Sequence, residues 1–193
     1  GTLTHNEMTV KKLYVNDEVV NISGSGYSPK GEFSSDPKNF EMLLRIGVLN
    51  NDAKLQGEEG SYKVIGDPTE GCLLVSAMKA GLDVDRIRKK LKRKDEVPFD
   101  SERKLMTTVH DGLVMTKGAP GNLLEICDRI LVNGNVERLT RAKKKKILEA
   151  NHNFAKEALR VLGFAYKEKT KEYEKELIFV GLQAMIDPPR EEV

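Results

Sequence analysis

The sequence predicts an α+β domain, a mostly antiparallel β-sheet flanked by helices. Three observations carry that expectation. Hairpin signals recur along the chain, helix-like segments are interleaved with them, and the strand–helix–strand alternation of a parallel sheet is missing. With 193 residues, 39% of them hydrophobic, the chain is long enough for one well-buried core without cross-links.

The elements follow in order. Lys12 to Val15 and Glu18 to Ile22 flank Asn16-Asp17; Leu105 to His110 and Leu113 to Lys117 flank Asp111-Gly112; Arg129 to Val132 and Asn135 to Leu139 flank Asn133-Gly134. Asp-Gly and Asn-Gly tolerate the positive φ that a two-residue hairpin turn requires. Phe40 to Leu49 has helical spacing, and Asp67-Pro68-Thr69-Glu70 reads as a capped helix start running to Gly81, with Glu70 reaching back to complete a capping box. Thr140 opens a long helix whose stripe of Ile147, Phe154, Ala158, Leu159 and Leu162 is expected to end at Gly163. Ser23 to Ser35, rich in Gly, Ser and Pro, reads as an ordered or partly mobile loop.

Composition excludes several classes of function. Thirty-two basic against thirty acidic side chains leave +2, too little for nucleic acid or an anionic membrane surface as the main partner, so any anion site is local. Cys72 and Cys127 give neither a disulfide framework nor metal-ligand spacing and fit a reducing compartment. His5, His110 and His152 are likewise scattered. No run approaches the roughly 18 apolar residues of a membrane span, and the chain is expected to be soluble. Because it opens on Gly1 and ends on Arg190-Glu191-Glu192-Val193, it is expected to be a piece of something larger.

Lys117-Gly118-Ala119-Pro120 follows an apolar strand, which places a cation, a residue without a side chain and a helix-starting proline together. That is a geometry for holding an anion. In the Asp111-Gly112 hairpin Met106 faces Lys117, so Lys104, Met106 and Lys117 share one face, with Lys104 a diagonal neighbour of Lys117. A phosphate-bearing ligand would relieve the repulsion between the two ammonium groups; two solvated lysines are the alternative. Phe99, beside Pro98, either stacks on a base or anchors the core. Glu70 either caps its helix or accepts from a ligand amino group. Lys143 to Lys146 reads as a solvated helix face or as a patch that docks an acidic partner or RNA, a rival reading without nucleotide binding. Neither G-x-x-x-x-G-K-[ST] nor G-x-G-x-x-G is present, so a nucleotide would bind by another route.

Five segments taken in order resemble the nucleotide-binding domain of P-type cation-transporting ATPases, nearest to the calcium-pump-like, type II branch and of prokaryotic kind. Gly1-Thr2-Leu3-Thr4 is similar to the tail of D-K-T-G-T-L-T. Gly66 to Glu70 resembles G-[DE]-[PA]-T-E, Phe99 to Lys104 resembles F-[DS]-S-x-R-K, Lys117 to Pro120 matches K-G-A-P, and Asp187 to Arg190 matches D-P-P-R. Gly24 to Phe33 is also similar to that branch.

The resemblance implies one nucleotide-binding domain over 1–193, with 1–8 and 186–193 as hinge segments to a separate phosphorylation domain. It implies ATP as ligand, with Phe99 on adenine, Glu70 and Thr69 at the helix start beside it, Lys117 and Gly118 lining the base pocket, and Lys104 and Arg160 towards ribose and phosphates. Mg²⁺ would act in the parent enzyme without being bound by this chain alone. The partners implied are the phosphorylation and actuator domains of the same parent, on the cytoplasmic side of a membrane, without nucleic acid or direct membrane contact. The reaction implied is γ-phosphoryl transfer to an aspartate, coupled to movement of an ion that the calcium-pump likeness makes Ca²⁺; the isolated chain would be no enzyme, since the acceptor precedes Gly1. Gly121 departs from the glutamate usual after K-G-A-P, and Ser101 from the arginine of animal calcium pumps, which implies fewer phosphate contacts. Lys117→Glu is expected to weaken ATP binding and leave folding nearly unchanged if the side chain lines an open pocket.

Overall fold

Three two-residue turns frame the sheet. In the computed structural model, which describes residues 7–58 and 60–187, each has positive φ at both central positions: Asn16-Asp17, Asp111-Gly112 and Asn133-Gly134. This is the backbone that matches the twist of paired strands, so each turn fixes the register on either side of it.

The first turn joins β1 (Thr9–Val15) to β2 (Glu18–Asn21). The following Gly/Ser/Pro-rich loop is ordered: Ser23 N donates to Glu32 O, Gly26 N to Thr9 Oγ1, and Phe33 packs on Phe40. A 3₁₀ turn then leads into α1 (Glu41–Leu49). The separate ribbon of β3 (Lys54–Gln56) and β4 (Lys63–Ile65) precedes α2 (Pro68–Lys79), whose cap is Asp67 accepting from Thr69 N, and α3 (Val84–Lys90). Then come β5 (Arg93–Asp100), β6 (Leu105–His110), β7 (Leu113–Gly118) and α4 (Pro120–Glu125), with proline in its first turn. The hairpin of β8 (Cys127–Val132) and β9 (Asn135–Arg138) leads to α5 (Arg141–Lys156), capped by Thr140, and the chain closes with β10 (Arg160–Glu168) and β11 (Leu177–Ile186).

The main sheet runs β2-β1-β11-β10-β7-β6-β5, and β8 pairs in parallel with the start of β11, on the edge that β1 uses further along. Every other pair is antiparallel. Strand alternation splits the interior in two. Met115 and Phe164 pack with Leu43, Leu44, Leu73 and Leu74 of α1 and α2, whereas their neighbours Val114 and Ala165 pack with Leu123 of α4 and Ile147 and Phe154 of α5. One layer of helices therefore covers each face. No helix among the described residues is long and apolar enough to cross a membrane.

One expected element is corrected. The helix from Thr140 ends at Lys156 rather than Gly163, and Leu159, Leu162 and Gly163 lie beyond it. Ala158 has φ 61° and Leu159 N returns to Phe154 O, which closes the helix early. Residues 160–168 then pair with both β7 and β11, and this two-sided pairing overrides the helical spacing of the apolar residues. Gly163 serves close packing, since a Cβ there would approach Leu123 Cδ2 to 3.0 Å. Gly1 to Thr4, His5 and Pro188 to Val193, including most of the two expected hinges, lie outside the described residues.

Candidate functional site

Lys117 sits on β7 opposite Met106 of β6, the register that the turn dictates. Its parity places the side chain on the α1–α2 face, where the end of α1 and the start of α2 meet the sheet. There the Nζ donates to Glu70 Oε2 at 2.8 Å, to Asn50 Oδ1 at 2.9 Å and to Asn50 O, and lies 3.4 Å from Met106 Sδ. Three protons thus already have partners. The side chains of Lys117 and Glu70 are only 8% and 15% exposed, so this is a buried ion pair. Burial pushes the Lys117 pKa down, and the Glu70 carboxylate opposes that by favouring the charged form. Lys117 is therefore a wall post rather than a free cation in an open pocket.

Lys104 is not its same-face partner. The strand starts at Leu105, and Lys104 lies in the preceding turn with φ 60°, exposed and outside the cleft lining, so the alternation that would align the two lysines does not reach it. Gly118 makes room for this turn. A Cβ there would lie 2.1 Å from Lys104 O, and Ala119 N donates to the same carbonyl.

Glu70 does not complete a capping box: its Oε2 accepts from Lys117 and, at 3.3 Å, from Asp52 N. Its Oε1 has no protein partner among the described residues, and Glu70 lines the cleft. Asn50 and Asn51 do the bracing. Asn50 Nδ2 donates to the carbonyls of Met106 and Met115, and Asn51 Nδ2 donates to those of Gly47 and Glu70, each at 2.8–2.9 Å. Sequence reasoning missed both; an Asn-Asn pair at a helix end was the available signal.

Phe99 is 62% exposed and so no core anchor. It lies on β5, the sheet edge, where Val97 faces Thr107 and Asp100 faces Leu105, leaving Pro98 and Phe99 opposite the single residue Met106. This bulge, at an edge where proline is tolerated, turns the ring towards the Lys117 face. Phe99, Met106 and Leu162 give apolar walls to a cleft of about 250 Å³, with Glu70, Lys117, Gly118, Thr69, Asp67 and Arg160 completing it. Arg160 begins β10 at the mouth, exposed, with Nη1 3.3 Å from Thr69 Oγ1. The structure thus brings together every site residue expected from sequence except Lys104.

The cleft is smaller than the roughly 300–1,000 Å³ of pockets that engulf a ligand, so it suits a flat ring and leaves the remainder outside. Its lining holds Asp52, Asp67 and Glu70 against Lys117 and Arg160, an acidic balance that disfavours burying an anionic group within it. Among the described residues, no three His, Cys, Asp or Glu side chains gather to hold a metal ion. Gly121 is exposed on α4, and a side chain there would meet nothing within 4 Å of its Cβ, so the departure at this position leaves no void. Lys143 and Lys146 pair with Glu137 and Asp17 across α5, away from the cleft.

The chain matches the family described as P-type ATPase, cytoplasmic domain N, over residues 39–192. It is 42% identical over 203 residues to calcium-transporting ATPase 1 of Bacillus cereus, and 38% identical over 216 residues to the cation-transporting ATPase pma1 of Synechocystis. Both alignments cover 100% of this chain, which spans 22% and 24% of those two relatives.

Proposed function

Since the chain belongs to the P-type ATPase cytoplasmic domain N family, we propose that its cleft binds the adenine base of ATP. The exposed Phe99 ring beside a buried carboxylate carries this reading: an aromatic face left in water is available to stack, and Glu70 Oε1 is an acceptor for the base's amino group. Lys117 holds that carboxylate in place. The phosphates extend past Arg160, with Lys104 further out.

Thr9 pairs with Ile186, and Arg160 pairs with Met185 one residue earlier, so the cleft mouth lies at the end of the sheet where β1 begins and β11 finishes. The rest of the reading follows from the family: a phosphorylation domain supplies the acceptor aspartate and Mg²⁺, an actuator domain completes the cycle, and the parent pumps a cation, Ca²⁺ by the likeness to calcium-transporting relatives, on the cytoplasmic side of a membrane. Phosphoryl transfer is mostly positioning and charge neutralisation, and this chain contributes the positioning.

Calorimetric titration of Mg²⁺-free ATP into the chain and into Phe99→Ala tests the base site. Stacking is worth about 1–3 kcal/mol per base, so affinity falls roughly 5- to 150-fold in the variant. Equal affinities would contradict the reading.

A further inference from the structure

We propose that the loop at 169–176 clamps the Phe99 strand from the opposite face of the sheet, with Glu174 as the positioning residue. The inference rests on the reading of the cleft as a base site. An edge strand is bonded on one side only, and β5 leaves its ladder at Pro98 and Phe99. Something else must set the height of the ring. Arg103 does so from the turn after β5: its Nη2 donates to Pro98 O at 3.0 Å and to Leu105 O at 2.7 Å. The guanidinium therefore spans the two strands at the bulge.

Arg103 is in turn paired with Glu174, whose Oε1 lies 2.6 Å from its Nε, an ion-pair contact in which the Nε–H itself makes no hydrogen bond. Glu174 Oε2 accepts from Thr107 Oγ1, which lies 2.8 Å from Thr116 Oγ1. Thr107 and Thr116 are fully buried and adjoin Met106 and Lys117 in their strands, so they point to the face away from the cleft. Glu174 thus touches no part of the base site and acts through Arg103 and Thr107. A further bond ties the same loop to β5 itself, Tyr173 OH donating to Asp95 Oδ2 at 2.6 Å. The loop is itself braced: Lys167 Nζ donates to the carbonyls of Glu172 and Lys175, and Lys169 N to Gly112 O.

A double-mutant cycle with ATP as probe, combined with amide hydrogen exchange in its absence, tests the clamp. Glu174→Ala is expected to speed exchange at Val97 and Asp100, on either side of the bulge, and to weaken ATP binding roughly three- to tenfold, the scale of coupling through packed contacts. In the Phe99→Ala background it should weaken binding no further, and Glu174→Gln, which removes the charge facing Arg103, should reproduce most of the loss. Tyr173→Phe, which cuts only the bond to Asp95, provides a milder variant should Glu174→Ala unfold; it too must speed exchange in β5. Unchanged exchange in β5, or losses that add in the double variant, would overturn the clamp. If Phe99→Ala binds ATP as well as the unaltered chain, the base site is what fails, and exchange alone still decides the clamp.

Discussion

Lys117 shows how far a single residue's role depends on distant partners. From sequence it is a cation at a strand end; in the fold its charge is matched by Glu70 and its protons by Asn50, 47 and 67 positions away. No local pattern encodes that burial. The K-G-A-P match located the residue, while the pairing changes what its substitution does. Lys117→Glu sets a second carboxylate against Glu70 and strips Asn50 of its donor, and breaking a buried pair costs about 3–5 kcal/mol. The urea midpoint should fall accordingly, contrary to the nearly unchanged folding expected for an open pocket; an unmoved midpoint would refute the buried pair. Phe99→Ala should behave oppositely. Its ring is mostly in water, so stability stays within about 0.5 kcal/mol while ATP affinity drops.

Among the elements, the hairpins were readable because Asn-Asp, Asp-Gly and Asn-Gly state a local backbone requirement that the fold then satisfies. The starts of α2 and α5 were readable for the same reason, through Asp67 and Thr140. The stretch 158–163 was not, since its assignment turns on pairing with strands on either side. Nor was the bulge at Pro98 and Phe99, which exists only relative to Met106. Gly118 tests how tightly β7 and the turn before β6 are fitted. Its added methyl in Gly118→Ala would meet backbone at 2.1 Å, which cannot rotate away, and overpacking of this kind costs about 1–3 kcal/mol. A thermal melt should show that loss; a variant as stable as the original would mean the turn shifts freely.

At the scale of the molecule, one sheet serves two cores, and its strands β6, β7 and β10 supply Met106, Lys117, Gly118, Arg160 and Leu162 to the cleft. The α+β class was readable from the alternation of hairpins and helices, whereas the convergence of residues 50, 70, 99, 117 and 160 at one end required the sheet order. Under the proposed role, positioning ATP for an aspartate of another domain, the chain by itself should not turn ATP over. Purified chain incubated with ATP and Mg²⁺ is expected to release phosphate at the background rate, and release above it would show a hydrolytic centre of the chain's own.

Amide chemical shifts followed by NMR during titration with Mg²⁺-free ATP report directly whether the cleft is the base site. Saturable shifts clustered at Glu70, Phe99, Lys117 and Gly118, with those of α5 unmoved, are the expected result. No saturable change at millimolar ATP, or changes confined to Lys143 to Lys146, would contradict it.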